Sequence, residues 1–198
     1  TQFTKLQTIE NVAEVSVSPT NSTIALLLDG TVWGFGHNAN NQLTNVGGAI
    51  PQQLQGPDGA LKDITSIGTG YYTGYAITSE EKVVAWGLNN YSQLASGTTE
   101  TKSTPVYMKD KDGNDFTDAM IVSGGIYNTE LAKNDGTVWS IGYNGYGELG
   151  DGSSTSKAKI ETISTQYVKL QEREATLKLS NPNYQINPTT VYGFNLLF

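Results

Sequence analysis

At 198 residues the chain can bury one good core or two small ones. Its 22 glycines, 16% charged residues and many Thr, Ser, Asn, Gln and Tyr describe a turn-rich β protein. A net charge of −7 repels phosphate backbones and anionic lipid, which argues against nucleic-acid and membrane-surface partners. The absence of cysteine excludes disulfides, thiolate metal sites and cysteine nucleophiles, and no apolar run reaches the roughly 18 residues of a membrane span.

The chain opens on Thr1 without a signal peptide, which leads us to expect a processed product or an excised piece. "TQFTKLQTI" then resembles the last β run of the units that follow it. The first unit reads "EVSVSPTNSTIALLLDG", two short β runs about a turn near Pro19. A third run carries Val32, with Trp33 and Phe35 two apart on one face. Gly36, Asn38, Gln42 and Leu43 come next, and a fourth run starts at Pro51 as "PQQLQG". A hairpin at Asp58-Gly59 leads onward.

The second unit repeats the order: a turn near Gly70, then Val83, Val84/Trp86, Gly87, Asn89, Gln93, Leu94 and "PVYMKD" from Pro105. In the third unit the turn lies near Gly125, followed by Val138, Trp139/Ile141, Gly142, Asn144, Glu148, Leu149 and "KAKIETI" from Lys157. "DGTVW" occurs at both Asp29 and Asp135, where a tight hairpin belongs. The unit is about fifty residues long, and four short strands of that size bury a core only by stacking on neighbours as radial blades. From Tyr167 the repeat stops. The tail reads as an extended linker with two strands, or alternatively as one short helix through Leu170, Arg173, Glu174 and Leu177.

The glycine near the first turn, Ala-Leu in the second strand, Asp-Gly, Val-aromatic-x-aromatic-Gly, Asn and Gln-Leu-Gly together resemble the regulator of chromosome condensation repeat. The likeness covers roughly Val12 to Ser164. It implies β-propeller blades of a seven-bladed family. Ser22, Thr73 and Asn128 stand where a histidine is common in that family, and only Leu149-Gly150 keeps the closing glycine. The tail is similar to the opening strands of bacterial immunoglobulin-like modules.

The expected fold is therefore all-β, a partial β-propeller of about three four-stranded blades followed by an extended β tail. Residues 1–11 form the last strand of a preceding blade, 12–63, 64–118 and 119–164 the three blades, and 165–198 the linker and tail. Trp33, Trp86 and Trp139, with Val32, Val83 and Val138, are expected to be enclosed between blades, and Gly36, Gly87 and Gly142 to be structural.

Few residues suggest chemistry. Asp110, Asp112 and Asn114 in "DKDGND" alternate as calcium ligands do, but Gly113 is one place early for that loop and a solvated turn is the simpler reading. His37 is the only histidine, so no histidine metal cluster forms within the chain. "DGTVW" has the wrong register for the Asp-box of sialidases, and "GFG" at Gly34 opens no helix. No enzyme and no cofactor are expected.

Binding is the better expectation. Tyr71, Tyr72, Tyr91, Tyr127, Tyr143 and Tyr146 fall in loops among Asn, Ser and Gly, a composition suited to protein or glycan contact. The family resemblance implies relatives that exchange nucleotide on a nuclear GTPase, one that inhibits β-lactamase, and bacterial or phage surface proteins. We expect a noncatalytic binding or adhesion module, extracellular or on a cell or virion surface. The alternatives are a structural part in which blades from the same longer chain or another copy join, or a secreted enzyme inhibitor.

Overall fold

The computed structural model describes residues 9–44, 46–57 and 59–163, so the opening run at residues 1–8, Asp58 and the tail beyond residue 163 lie outside the described residues. Among them, every regular element is a strand. The first sheet holds β1 (Val12–Ser18), β2 (Ser22–Leu27), β3 (Val32–Gly36) and β4 (Gly48–Gln53). A ribbon of β5 (Gln55–Gly56) and β6 (Gly59–Ala60) leads to the second sheet. That sheet holds β7 (Ile64–Thr69), β8 (Thr73–Thr78), β9 (Val83–Gly87) and β10 (Lys102–Tyr107). The third holds β11 (Ala119–Gly124), β12 (Asn128–Lys133), β13 (Val138–Gly142) and β14 (Lys157–Thr162). Each is a four-stranded antiparallel meander in chain order, the propeller-blade pattern. The fourth strands of the first two sheets start three residues earlier than the prolines suggest.

The repeated residues occupy identical places. Gly36, Gly87 and Gly142 pair with Ser22, Thr73 and Asn128 at the end of each second hairpin. All three have positive φ, and a Cβ there would meet the carbonyl oxygen of Asn21, Tyr72 or Tyr127 at 2.2–2.3 Å. Only glycine fits. The "DGTVW" copies form a relay. Asp29 accepts from the Thr31 amide and hydroxyl, and Thr31 accepts from the Trp33 indole; Asp135, Thr137 and Trp139 do the same. The Thr31 hydroxyl and amide hold the Asp29 carboxyl below its ordinary range.

Two further positions recur without a shared residue type. Asn11, Asp63 and Asp118 precede the first strands with φ of 56–60°, a conformation Asn and Asp tolerate better than most residues. Thr44, Ala95 and Gly150 share φ of 48–65° at the family's closing glycine. Thr44, β-branched, is strained there.

Alternation along the strands sends one face of each sheet to the sheet before and the other to the sheet after. Ile24, Leu26 and Val32 of the first sheet meet Ala76, Val84 and Trp86 of the second. Tyr75, Ile77, Val83 and Ala85, on the second sheet's other face, meet Val122, Leu131 and Ile141 of the third. Inner strands come close: a Cβ on Gly68 would lie 2.4 Å from the Val122 carbonyl.

Of the three tryptophans only Trp86 is enclosed; Trp33 and Trp139 are half-buried, as is Val138. The expectation that all three tryptophans are enclosed between blades is thus corrected. Trp86 stands two residues further along its strand, at the place of Phe35 and Ile141, where the preceding sheet covers it. Trp33 faces away from the second sheet, and Trp139 shares its position with Lys133 above its ring.

Candidate binding site

Two loops, after β9 and after β13, and the turn between β11 and β12 build the aromatic face, and the repeat explains how the loops are held. Asn38, Asn89 and Asn144 each accept from the amide of Leu43, Leu94 or Leu149 at 2.8–2.9 Å and donate to carbonyls across the loop. The leucines are buried beneath. Gln42, Gln93 and Glu148 accept from the amides of Asn40, Tyr91 and Tyr146 at 2.8–2.9 Å. Loop amides and carbonyls paired in this way with the buried Asn89 and Asn144 side chains hold the loops in one shape. Tyr91 and Tyr146 are therefore presented by the same device at successive blades.

Of the six loop tyrosines, four gather at the junction of the second and third sheets. Tyr91 lies 5.0 Å, centroid to centroid, from both Tyr127 and Tyr143. Tyr143 lies 6.4 Å from Tyr127 and from Tyr146. No two of these rings are parallel; the interplanar angles run from 47° to 77°. Ile126, Asn128 and Glu148 complete a cleft of about 370 Å³. Tyr146 is 91% exposed and Tyr91 40% exposed. Such groups are available to a partner.

The cleft carries one carboxylate, that of Glu148. Burial pushes the Tyr143 phenol up, and Tyr146, the Glu148 carboxylate and Tyr91 add to the shift. Burial likewise raises the adjoining Glu130 carboxyl, opposed by its hydrogen bond from Asn128 and reinforced by Glu148. Both shifts mean that added negative charge is disfavoured here.

Tyr71 and Tyr72 form a separate edge-to-face pair at 4.6 Å. The Tyr71 backbone is clasped from both sides: its carbonyl accepts from Ser18 and Thr20, and its amide donates to Gly125. The Asp110 carboxylate turns onto its own loop, accepting from the amides of Asp112 and Asn114, while Asp112 pairs with Lys111. Among the described residues no group of three or more metal-ligating side chains converges. A larger cavity of about 500 Å³ borders this turn. Its charges serve neighbouring groups, Lys109 pairing with Asp115 and Lys159 with the Lys111 carbonyl. Glu148 and Ile126 were not singled out from sequence. The available signal was Glu148 standing where the other two units have glutamine.

Comparison with known proteins agrees with the repeat. Two family profiles, both described as the regulator of chromosome condensation (RCC1) repeat, match residues 64–93 and 80–127, so residues 64–127 are similar to repeats of this type. It is 35% identical over 86 residues to the mitochondrial RCC1 domain-containing protein RUG3 of Arabidopsis thaliana, covering 42% of this chain and 19% of that protein. The fold is that of human WBSCR16, with a TM-score of 0.67 at 21% identity over 80% of this chain and 39% of that one. It is also that of Prp20p from Saccharomyces cerevisiae, with a TM-score of 0.62 at 18% identity over 82% of this chain and 40% of that one. The chain thus spans a fifth to two fifths of these proteins. The extracellular, cell-surface or virion-surface location expected from sequence is corrected by these relatives: they are eukaryotic proteins, and the one closest in identity among them is mitochondrial.

Proposed function

We propose that the chain is a noncatalytic protein-binding repeat module whose contact surface is the loop face bearing Tyr91, Tyr127, Tyr143 and Tyr146. The carrying observation is the convergence of four tyrosines from two braced loops and the turn between β11 and β12. Rigid aromatic groups on braced loops lose little entropy on binding, and tyrosine is enriched among residues that dominate interfaces. A protein partner rather than a glycan is supported by Prp20p, whose structure was described with its binding to Gsp1p and histones. Tyr71 and Tyr72 are secondary contacts in this reading, and 12–63, 64–118 and 119–164 are the blades that carry the loops. In a quantitative pull-down, a Tyr91→Ser/Tyr146→Ser variant is expected to lose its specific partners. Each truncation costs about 2 kcal/mol, close to thirtyfold in affinity. An unchanged partner set at unchanged melting temperature refutes the reading.

A second reading rests on the first sheet's outer face. Val15 and Val17, 57% and 66% exposed, share rows with the half-buried Trp33 and Phe35. The face of the third sheet turned away from the second is the opposite one, and it carries Glu130 and Ser140. An apolar face of this kind suits a further blade, from the same longer chain or from another copy. Residues 1–198 are expected to self-associate in sedimentation at high micromolar concentration, and Val15→Lys/Val17→Lys to remain monomeric. A monomeric parent protein would count against this reading.

A further inference from the structure

We propose that the cleft between Tyr91, Tyr127 and Tyr143, walled by Glu148, receives the ammonium of a lysine side chain on a protein partner. The inference rests on the reading of this loop face as a protein-binding surface and names the chemistry it selects.

Four observations carry it. Three tyrosine rings line one cleft, and the negative face of an aromatic ring attracts a cation within about 6 Å of its centroid. The protein already uses this interaction elsewhere: the Lys133 ammonium stands 4.4 Å from the Phe116 centroid and 5.4 Å from that of Trp139. At the tyrosine cleft, by contrast, no lysine or arginine is among the described lining residues. Glu148 supplies the carboxylate. One oxygen is occupied by the Tyr146 amide, and the other has no protein partner among the described residues.

The ring geometry chooses the cation. A planar guanidinium stacks flat on aromatic faces and gains most from parallel ones, whereas an ammonium is a compact point charge with no preferred plane. The rings here are inclined to one another by 47°, 68° and 77°, which makes a cup. The net charge of −7 draws a basic segment toward the chain and discourages an acidic one. Glu148 is the discriminating group, because the two equivalent positions are the neutral Gln42 and Gln93.

That difference makes a clean test. Glu148→Gln removes the charge but keeps the amide-capping oxygen that the other two loops already use. The intact chain is titrated with a short Gly/Ser peptide carrying one lysine, and with counterparts carrying Nε-acetyl-lysine or arginine, following the tyrosine ring resonances by NMR. The lysine peptide is expected to shift Tyr91, Tyr127 and Tyr143, with the acetylated peptide at least tenfold weaker. Glu148→Gln is expected to weaken lysine binding at least fivefold at an unchanged melting temperature. Equal binding of the acetylated peptide at these rings, or tighter binding of arginine, overturns the lysine assignment while leaving a protein-binding face. An unaffected Glu148→Gln also overturns it. If no peptide moves these resonances the assignment falls; if the tyrosine variants also keep every partner, the protein-binding reading falls with it.

Discussion

Trp86→Ala is expected to lower stability by about 3–5 kcal/mol, against about 1 kcal/mol for Trp33→Ala, in denaturant unfolding. Trp86 is fully buried, its ring fills the space left open by Gly74, and its indole N–H donates to the Gln42 carbonyl at 2.9 Å. Truncation opens a cavity in the core between the first two sheets and strands a buried acceptor as well. Trp33, half-buried on the outer face of the first sheet, loses little by comparison. Equal losses at the two positions would show that the stacked-sheet account of the core is wrong.

Gly87→Ala is expected to cost more than about 3 kcal/mol, enough to prevent folding of a marginal domain. Two effects combine: φ is +99°, and the new Cβ would lie 2.2 Å from the Tyr72 carbonyl oxygen. That same oxygen accepts from the Leu88 amide at 3.0 Å, so it cannot retreat without breaking the loop. Gly113→Ala supplies the control. Its φ is +89° but nothing lies within 4 Å of a Cβ there, so only the conformational cost remains, about 1 kcal/mol. Thermal unfolding of the two variants separates crowding from backbone strain. Similar melting temperatures would remove the crowding argument.

Much of this was legible in the residues. Gly, Asn and Leu recur at fixed offsets because each performs a backbone task that no other side chain does as well: close approach, loop bracing and burial. Asp29 and Asp135 were readable as turn residues for the same reason. What escaped was whatever depends on a neighbouring sheet. Trp33 and Trp139 align with each other while Trp86 does not, and residue spacing alone does not say which face of a strand is covered. Asn11, Asp63 and Asp118 share a backbone conformation but lack a common identity. The six tyrosines were recognised as loop residues, yet their gathering into a cleft of four depends on packing between sheets. Glu148 became notable only when its neighbours in space were known.

The joint between neighbouring sheets has a further consequence. Gln42 and Gln93 each offer a main-chain carbonyl to the sheet that follows, and the donors are unlike: the Trp86 indole in one case, the Thr129 hydroxyl in the other. These donors come from one cross-strand pair, Gly74 with Trp86 and Thr129 with Ile141, matched in the first sheet by Thr23 with Phe35. Each pair fills the same room, a glycine beside the bulkiest side chain or a threonine beside a smaller one. Neither member can drift alone without either a collision or a hole. The two act as one exchangeable cassette, differing together between the second and third repeats of this chain while the carbonyl they grip stays the same.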